Sequence, residues 1–171
     1  IYQLIEEAEL DADQEAKLER VLGRQYHLIT RDDRLETVAH DIVRHFLGRG
    51  FVGKAMVVSI DKATALRMHD KVKRHWAAET TRVQTELGKL VSLSRGGEMT
   101  PEQARRDLRL AELKQRLVVL TTTDMAVIVS PGQNEIQQMQ KLGLDIEPHR
   151  KRMNESQPGL DEKFKETDDP L

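Results

Sequence analysis

Two valine-rich runs constrain this chain more than any other feature. Lys54-Ala55-Met56-Val57-Val58-Ser59-Ile60 and Met125-Ala126-Val127-Ile128-Val129-Ser130 are short, apolar on both alternations and bounded by turn or polar residues. That pattern predicts strands buried on both faces of a parallel sheet. About sixty residues separate them, where a parallel crossover needs a dozen or more. The predicted fold class is therefore α/β, helix-rich overall, with few parallel strands and a large helical insertion over about 62–121. Two strands alone make a poor sheet. Leu117-Val118-Val119-Leu120 is the candidate third strand; otherwise the sheet is completed by residues outside this chain.

The rest of the pattern is helical. Residues 3–22 read as helix, in two pieces joined near Asp11–Asp13, with Gly23 as a stop and Tyr26–Ile29 as a short extended piece. Leu35, Val38, Ala39, Ile42, Val43, Phe46 and Leu47 recur at the spacing of one buried helix face. Asp32 or Asp33 can cap that helix, and Gly48 or Gly50 can end it. A long helix follows Asp61 or Ser59 and runs to about Ser94, where Arg95-Gly96-Gly97 breaks it. Thr100-Pro101-Glu102-Gln103 carries the signature of a capping box with proline in the first turn, and its helix reaches about Leu120. Gln133–Leu142, closed by Gly143, and Leu160–Glu166 read as short helices.

Composition narrows the functional classes. Only six of 171 residues are aromatic and none is cysteine, which predicts an aliphatic core and excludes disulfides, thiol nucleophiles and Cys-ligated zinc. No apolar stretch approaches the roughly 18 residues that span a bilayer, and Ile1-Tyr2-Gln3-Leu4 is no signal peptide, so a cytoplasmic location is expected. The opening isoleucine suggests a piece of something longer. The net charge of -2 conceals an asymmetry: residues 62–116 carry thirteen basic against seven acidic side chains, while residues 1–22 carry two against seven. Local positive charge is what phosphate contacts need, although charged helical faces are commonly just solvated.

Catalytic motifs are absent. Arg95-Gly96-Gly97 lacks the strand and lysine of a phosphate-binding loop. His40 and His45 are five apart and His69 and His75 six apart, which fits no helical metal pair, so no metal ligand is expected. Ser59 and Ser130 lie in no nucleophile elbow. One constellation stands out: each valine-rich run carries a serine at or near its end. Ser59 and Lys62 belong to the first run and its exit, and Ser130, Gln133 and Asn134 to the second. In a parallel sheet those ends share a ligand-binding rim, and hydroxyls, amides and helix-start N–H groups suit phosphate; equally, each serine could simply cap a helix. Arg67, Lys71, Lys73 and Arg74 could extend such a track.

Several of these segments resemble one family. Arg34-Leu35-Glu36 through Asp41-Ile42-Val43, then Gly53-Lys54-Ala55-Met56-Val57-Val58, resemble the stretch around helicase motif IV in the restriction (R) subunit of type I restriction-modification enzymes. Thr123-Asp124 with the second run, Asn134-Glu135, Gly143-Leu144-Asp145-Ile146 and His149-Arg150 resemble the next segments of that family. Phe164-Lys165 and Asp168-Asp169-Pro170-Leu171 resemble the lead into the next strand. The match is discontinuous but ordered, over residues 31 to 171.

The resemblance implies an ATP- and magnesium-dependent translocase of double-stranded DNA, of the superfamily 2 helicase type, joined to a nuclease and working with modification and specificity subunits. It implies a partial RecA-like domain, of the P-loop NTPase kind, over residues 31–171, with residues 1–30 as a helical linker. The family's phosphate-binding loop, acidic box, nuclease residues and arginine motif find no counterpart here. The chain by itself is thus expected to hold no catalytic residue and no cofactor, and to be inactive, with Ser59, Lys62, Ser130, Gln133, Asn134, Arg67, Lys71, Lys73 and Arg74 as DNA-contact candidates. Self-association through an open sheet edge or the helical hairpin is also expected. The competing expectation is a protein-interaction module that docks another subunit through the 62–120 hairpin, using Leu87, Leu90 and Val91.

Overall fold

The computed structural model describes residues 12–50, 53–92 and 100–166, and in these it consists of helices and irregular connections. The helices are α1 (Ala12–Ile29), α2 (Asp32–Gly48), α3 (Lys62–Ser92), α4 (Pro101–Thr122), α5 (Glu135–Lys141), α6 (Glu147–Glu155) and α7 (Leu160–Glu166). No strand occurs among the described residues, which overturns the expected α/β, partial RecA-like architecture with parallel strands.

Both valine-rich runs lie outside regular structure. Met56 is 71% exposed and Val58 85% exposed, the reverse of a doubly buried strand. Valine favours strands because its branched side chain fits a packed, pleated surface, and that preference yields no ladder where no neighbouring strand is present. The third-strand candidate, Leu117–Leu120, is helical, inside the last turns of α4. Its residues serve the helix stripe instead, with Leu120 buried and Leu117 and Val119 packed beside it.

Helix α1 passes straight through Gly23 and takes in Tyr26–Ile29, so neither the predicted stop nor the extended piece forms. A mid-helix glycine costs only about 1 kcal/mol relative to alanine. Continuing the helix lets Tyr26 donate its hydroxyl to Asp61 Oδ2 at 2.5 Å. The expected helix over 3–11 and the Arg95–Gly97 break lie outside the described residues.

Helix α2 behaves as its periodicity predicts. Leu35, Ala39 and Val43 are buried, and Arg49 and Gly50 end the helix, Gly50 at a φ of +75°. Asp32 and Asp33 occupy the first turn and make no side-chain cap, with Arg31 in the N-cap position. Helix α4 starts with the threonine half of the predicted capping box: Thr100 Oγ1 accepts from the Gln103 N–H at 3.2 Å, with Pro101 next. Gly143 closes α5 at a φ of +69°, while the N–H groups of Gly143 and Leu144 donate to the Gln140 and Met139 carbonyls. Helix α6 is not anticipated by the sequence reading; Pro148 sits in its first turn, and the Asp145 side chain accepts from the Glu147 N–H at 3.0 Å.

Long helix α3 organises the rest. Toward its C-terminal half it pairs with α4 and the end of α2 around Val43, Trp76, Val83, Leu113 and Leu120. The Trp76 indole N–H donates to the Leu120 carbonyl at 2.8 Å, so even the most polar atom of this cluster is satisfied. Near its start, Leu35, Ala39 and Met68 join α2 to α3. A separate cluster of Ala63, Leu66, Val127, Met139 and Ile146 fastens the second valine-rich run, α5 and the lead into α6 onto the α3 N-terminus. No helix among the described residues is long and apolar enough to cross a membrane.

Candidate functional site

The two valine-rich runs, though not paired as strands, line one cleft of about 300 Å³ with α2, α3 and α7. Val57 and Ser59 contribute from the first run and Val127 and Ile128 from the second, while Met68, His69 and Trp76 form part of the α3 wall.

At one margin of this region a polar network ties the two halves together. Lys62 Nζ lies 3.1 Å from Glu135 Oε2, and a side chain at Gly132 would bring its Cβ to 2.8 Å from that ammonium. Glycine here leaves the lysine room beside the turn. Arg150 of α6 donates to both oxygens of Glu135 and also to the carbonyls of Val129, at 2.7 Å, and Ser130. The Arg150 hydrogen bonds, aided by Lys62 and opposed by desolvation, hold the Glu135 carboxyl down to about 2. Arg152 anchors the other end of the run, donating to the Met125 carbonyl at 2.8 Å and to Asp124.

The predicted contact residues divide accordingly. Lys62 meets the turn that carries Ser130, Gln133 and Asn134, and so joins the exits of the two runs. Ser130, Gln133 and Asn134 are exposed; Asn134 has a left-handed backbone, φ +54°, and makes no side-chain cap. Ser59 is partly buried in the cleft wall and does not cap α3. Asp61 does, accepting from the Thr64 N–H at 2.6 Å. A carboxylate therefore already sits at that helix start, where phosphate would otherwise be favoured.

Farther along α3 the basic residues part company. The Lys71 side chain is 7% exposed and lies 2.7 Å from Asp32 and 2.9 Å from Glu36, and its ammonium is stabilised in the charged form by those partners against desolvation. Arg74 also binds Glu36, at 2.9 Å. These two cations serve the α2–α3 junction. Lys73 is exposed and Arg67 partly so.

The proposed docking residues of the hairpin are divided as well. Leu87 and Leu90 pack against the hairpin's own core, whereas Val91 is exposed. An ionic chain fastens α3 to α4: Arg82 binds Glu79 and Glu86, Arg109 binds Glu86, and Arg116 binds Glu79. Pairs at the surface such as Arg109–Glu86 add little stability each. With no sheet among the described residues, the expected sheet edge is not there to recruit a second copy.

Sequence spacing misses one further cluster. His69 of α3 and His149 of α6, eighty positions apart, stand edge to face with ring centroids 4.7 Å apart. His69 Nδ1 lies 3.2 Å from Asp70 Oδ1. Burial, and then the neighbouring His69, push the His149 imidazole below its ordinary pKa. Histidine pairs within one helix are visible from spacing; a pair assembled by two distant helices is not.

Comparison with protein-family models, curated proteins and solved structures finds no match.

Proposed function

We propose that this chain is part of the DNA-translocating region of a protein like the R subunit of type I restriction-modification enzymes, where it offers a DNA-facing surface and no catalytic group. In the whole protein, ATP and magnesium would drive translocation along double-stranded DNA, a nuclease domain would cut it, and modification and specificity subunits would be partners. The chain alone hydrolyses no ATP on this reading.

The observation that carries the reading is convergence. The segments that bear the resemblance, Gly53–Val58 and Thr123–Ser130, share one cleft, and the Lys62–Glu135–Arg150 network bridges their C-terminal ends. They lie about seventy residues apart in sequence, yet they line the same cleft. Lys62, Lys71 and Arg74 are paired with carboxylates, which leaves Lys73 and Arg67 as the basic candidates for phosphate, Arg67 with Asp61 nearby.

The test is anisotropy of a labelled DNA duplex titrated with the chain at several salt concentrations. Two phosphate contacts give a log–log slope of about -1.8, so affinity falls about twelvefold between 50 and 200 mM salt. The double variant R67A/K73A should flatten that slope. Absence of duplex binding at low salt, or a slope unchanged in the variant, would reject this surface. A second reading, protein docking through the hairpin, draws on the exposed Val91, Leu108 and Val118, and predicts association that is insensitive to salt.

A further inference from the structure

We propose that His69, Asp70 and His149 form a binding site for a divalent first-row transition-metal ion, with zinc as the ion best suited to it. The site does not rest on the DNA reading, although His69 lines the same cleft and Lys73 faces His149.

Each of the three residues offers a ligand atom, and those atoms all lie within 4.8 Å of one another. Bonds of 2.0–2.1 Å around a tetrahedral zinc place neighbouring ligand atoms about 3.3 Å apart. His69 Nδ1 and Asp70 Oδ1 already stand 3.2 Å apart, the edge of such a tetrahedron. An ion that replaces the hydrogen between them needs only His149 to close in, by at most about 1.5 Å. Two imidazoles and a carboxylate are the ligand types that zinc and its neighbours prefer, and they leave a fourth position for water.

The supporting frame is rigid. His69 follows the buried Met68 on α3, one turn beyond the buried Leu66. His149 sits between two anchors of α6: Ile146, which is buried in the core around Leu66 and Val127, and Arg150, which holds the second run through its carbonyls. These anchors hold the backbone on either side of His149 against the α3 core and the second run. His149 is partly buried beside His69. The charges facing it are Asp70 and Asp145, which favour a cation, and Lys73, which opposes one. His69 lines the cleft between the valine-rich runs, so a group bound at the ion's open position would have a path to it.

A packed pair of histidines with no affinity for metal makes the opposite prediction. The full chain is titrated with Zn²⁺ alone by calorimetry, and with Co²⁺ alone by visible absorption. One ion per chain is expected, with a tetrahedral Co²⁺ spectrum and a melting temperature that rises with metal concentration. The H149Q variant should lose at least about tenfold in affinity, and D70N should also weaken binding. Asp70 is exposed, so D70N reads the site even if a histidine variant melts early. The variant H40Q, which alters the separate His40–His75 pair, should bind as the parent does. Absence of saturable binding, or affinity undiminished in H149Q and D70N, would overturn the site.

Discussion

The same chemical change at two positions of α3 provides a sharp test of the helical hairpin. Val83 is fully buried (0% exposed) between α3 and α4, while Val91, two turns on, is 52% exposed. Val83→Ala removes two methyl groups from a closed core, which costs about 1.6 kcal/mol at about 0.8 per group. The cavity left behind adds up to about 1 kcal/mol. Alanine's better helix propensity returns about 0.5 kcal/mol. The net loss is about 2 kcal/mol, or about 4–8 °C in melting temperature for a chain of this size. Val91→Ala receives the same helix benefit and loses little burial, so its effect should stay within about 0.5 kcal/mol of zero. Trp76 is the chain's only tryptophan and lies in the same core as Val83, so its emission reports this packing during thermal or urea unfolding. A Val83→Ala chain that melts within about 2 °C of the parent would refute the packing. A Val91→Ala chain as unstable as Val83→Ala would show that the exposed face is covered in solution.

The remaining expectations concern charge. Glu135 is held down to about 2, so its contribution to stability is complete above its ordinary value of 4.5 and is lost as the pH falls toward 2. Urea titrations of the parent and Glu135→Gln at several pH values should show the parent's advantage shrinking steadily below about pH 4.5; an advantage constant down to pH 2 would mean that the ionised carboxylate adds nothing to stability. Lys71→Met should cost no more than about 1 kcal/mol, far below the 3–5 kcal/mol of breaking a buried pair, because Asp32 and much of Glu36 can rehydrate. A larger loss by chemical denaturation would show that those carboxylates are confined.

Local chemistry was legible where neighbours in sequence decide the outcome. The spacing of Leu35, Ala39 and Val43, the Thr100 cap with Pro101 behind it, and the glycine after α5 each encode a helix within a few residues. The valine-rich runs misled because a strand is not a local object. Its hydrogen bonds belong to a partner elsewhere in the chain, and valine states a preference without supplying that partner. Leu117–Leu120 shows the same limit, since its apolar residues serve a helix face as readily as a strand.

The candidate sites divide along the same line. Sequence marked Ser59, Lys62, Ser130, Gln133 and Asn134 as neighbours of the two runs, and it marked a basic segment. Which cations stay open to solvent was decided by the carboxylates that the fold brings against them, Glu135 to Lys62 and Asp32 and Glu36 to Lys71. His149 reaches His69 only because α6 is pinned by Ile146 and Arg150. Sequence by itself determined an aliphatic, cysteine-free, charge-segregated chain and marked the end of α2, the start of α4 and the end of α5. Tertiary structure alone decided which charges neutralise one another and which histidines meet, because Coulombic and ligand geometry depend on distances in space, and those arise only when distant helices pack.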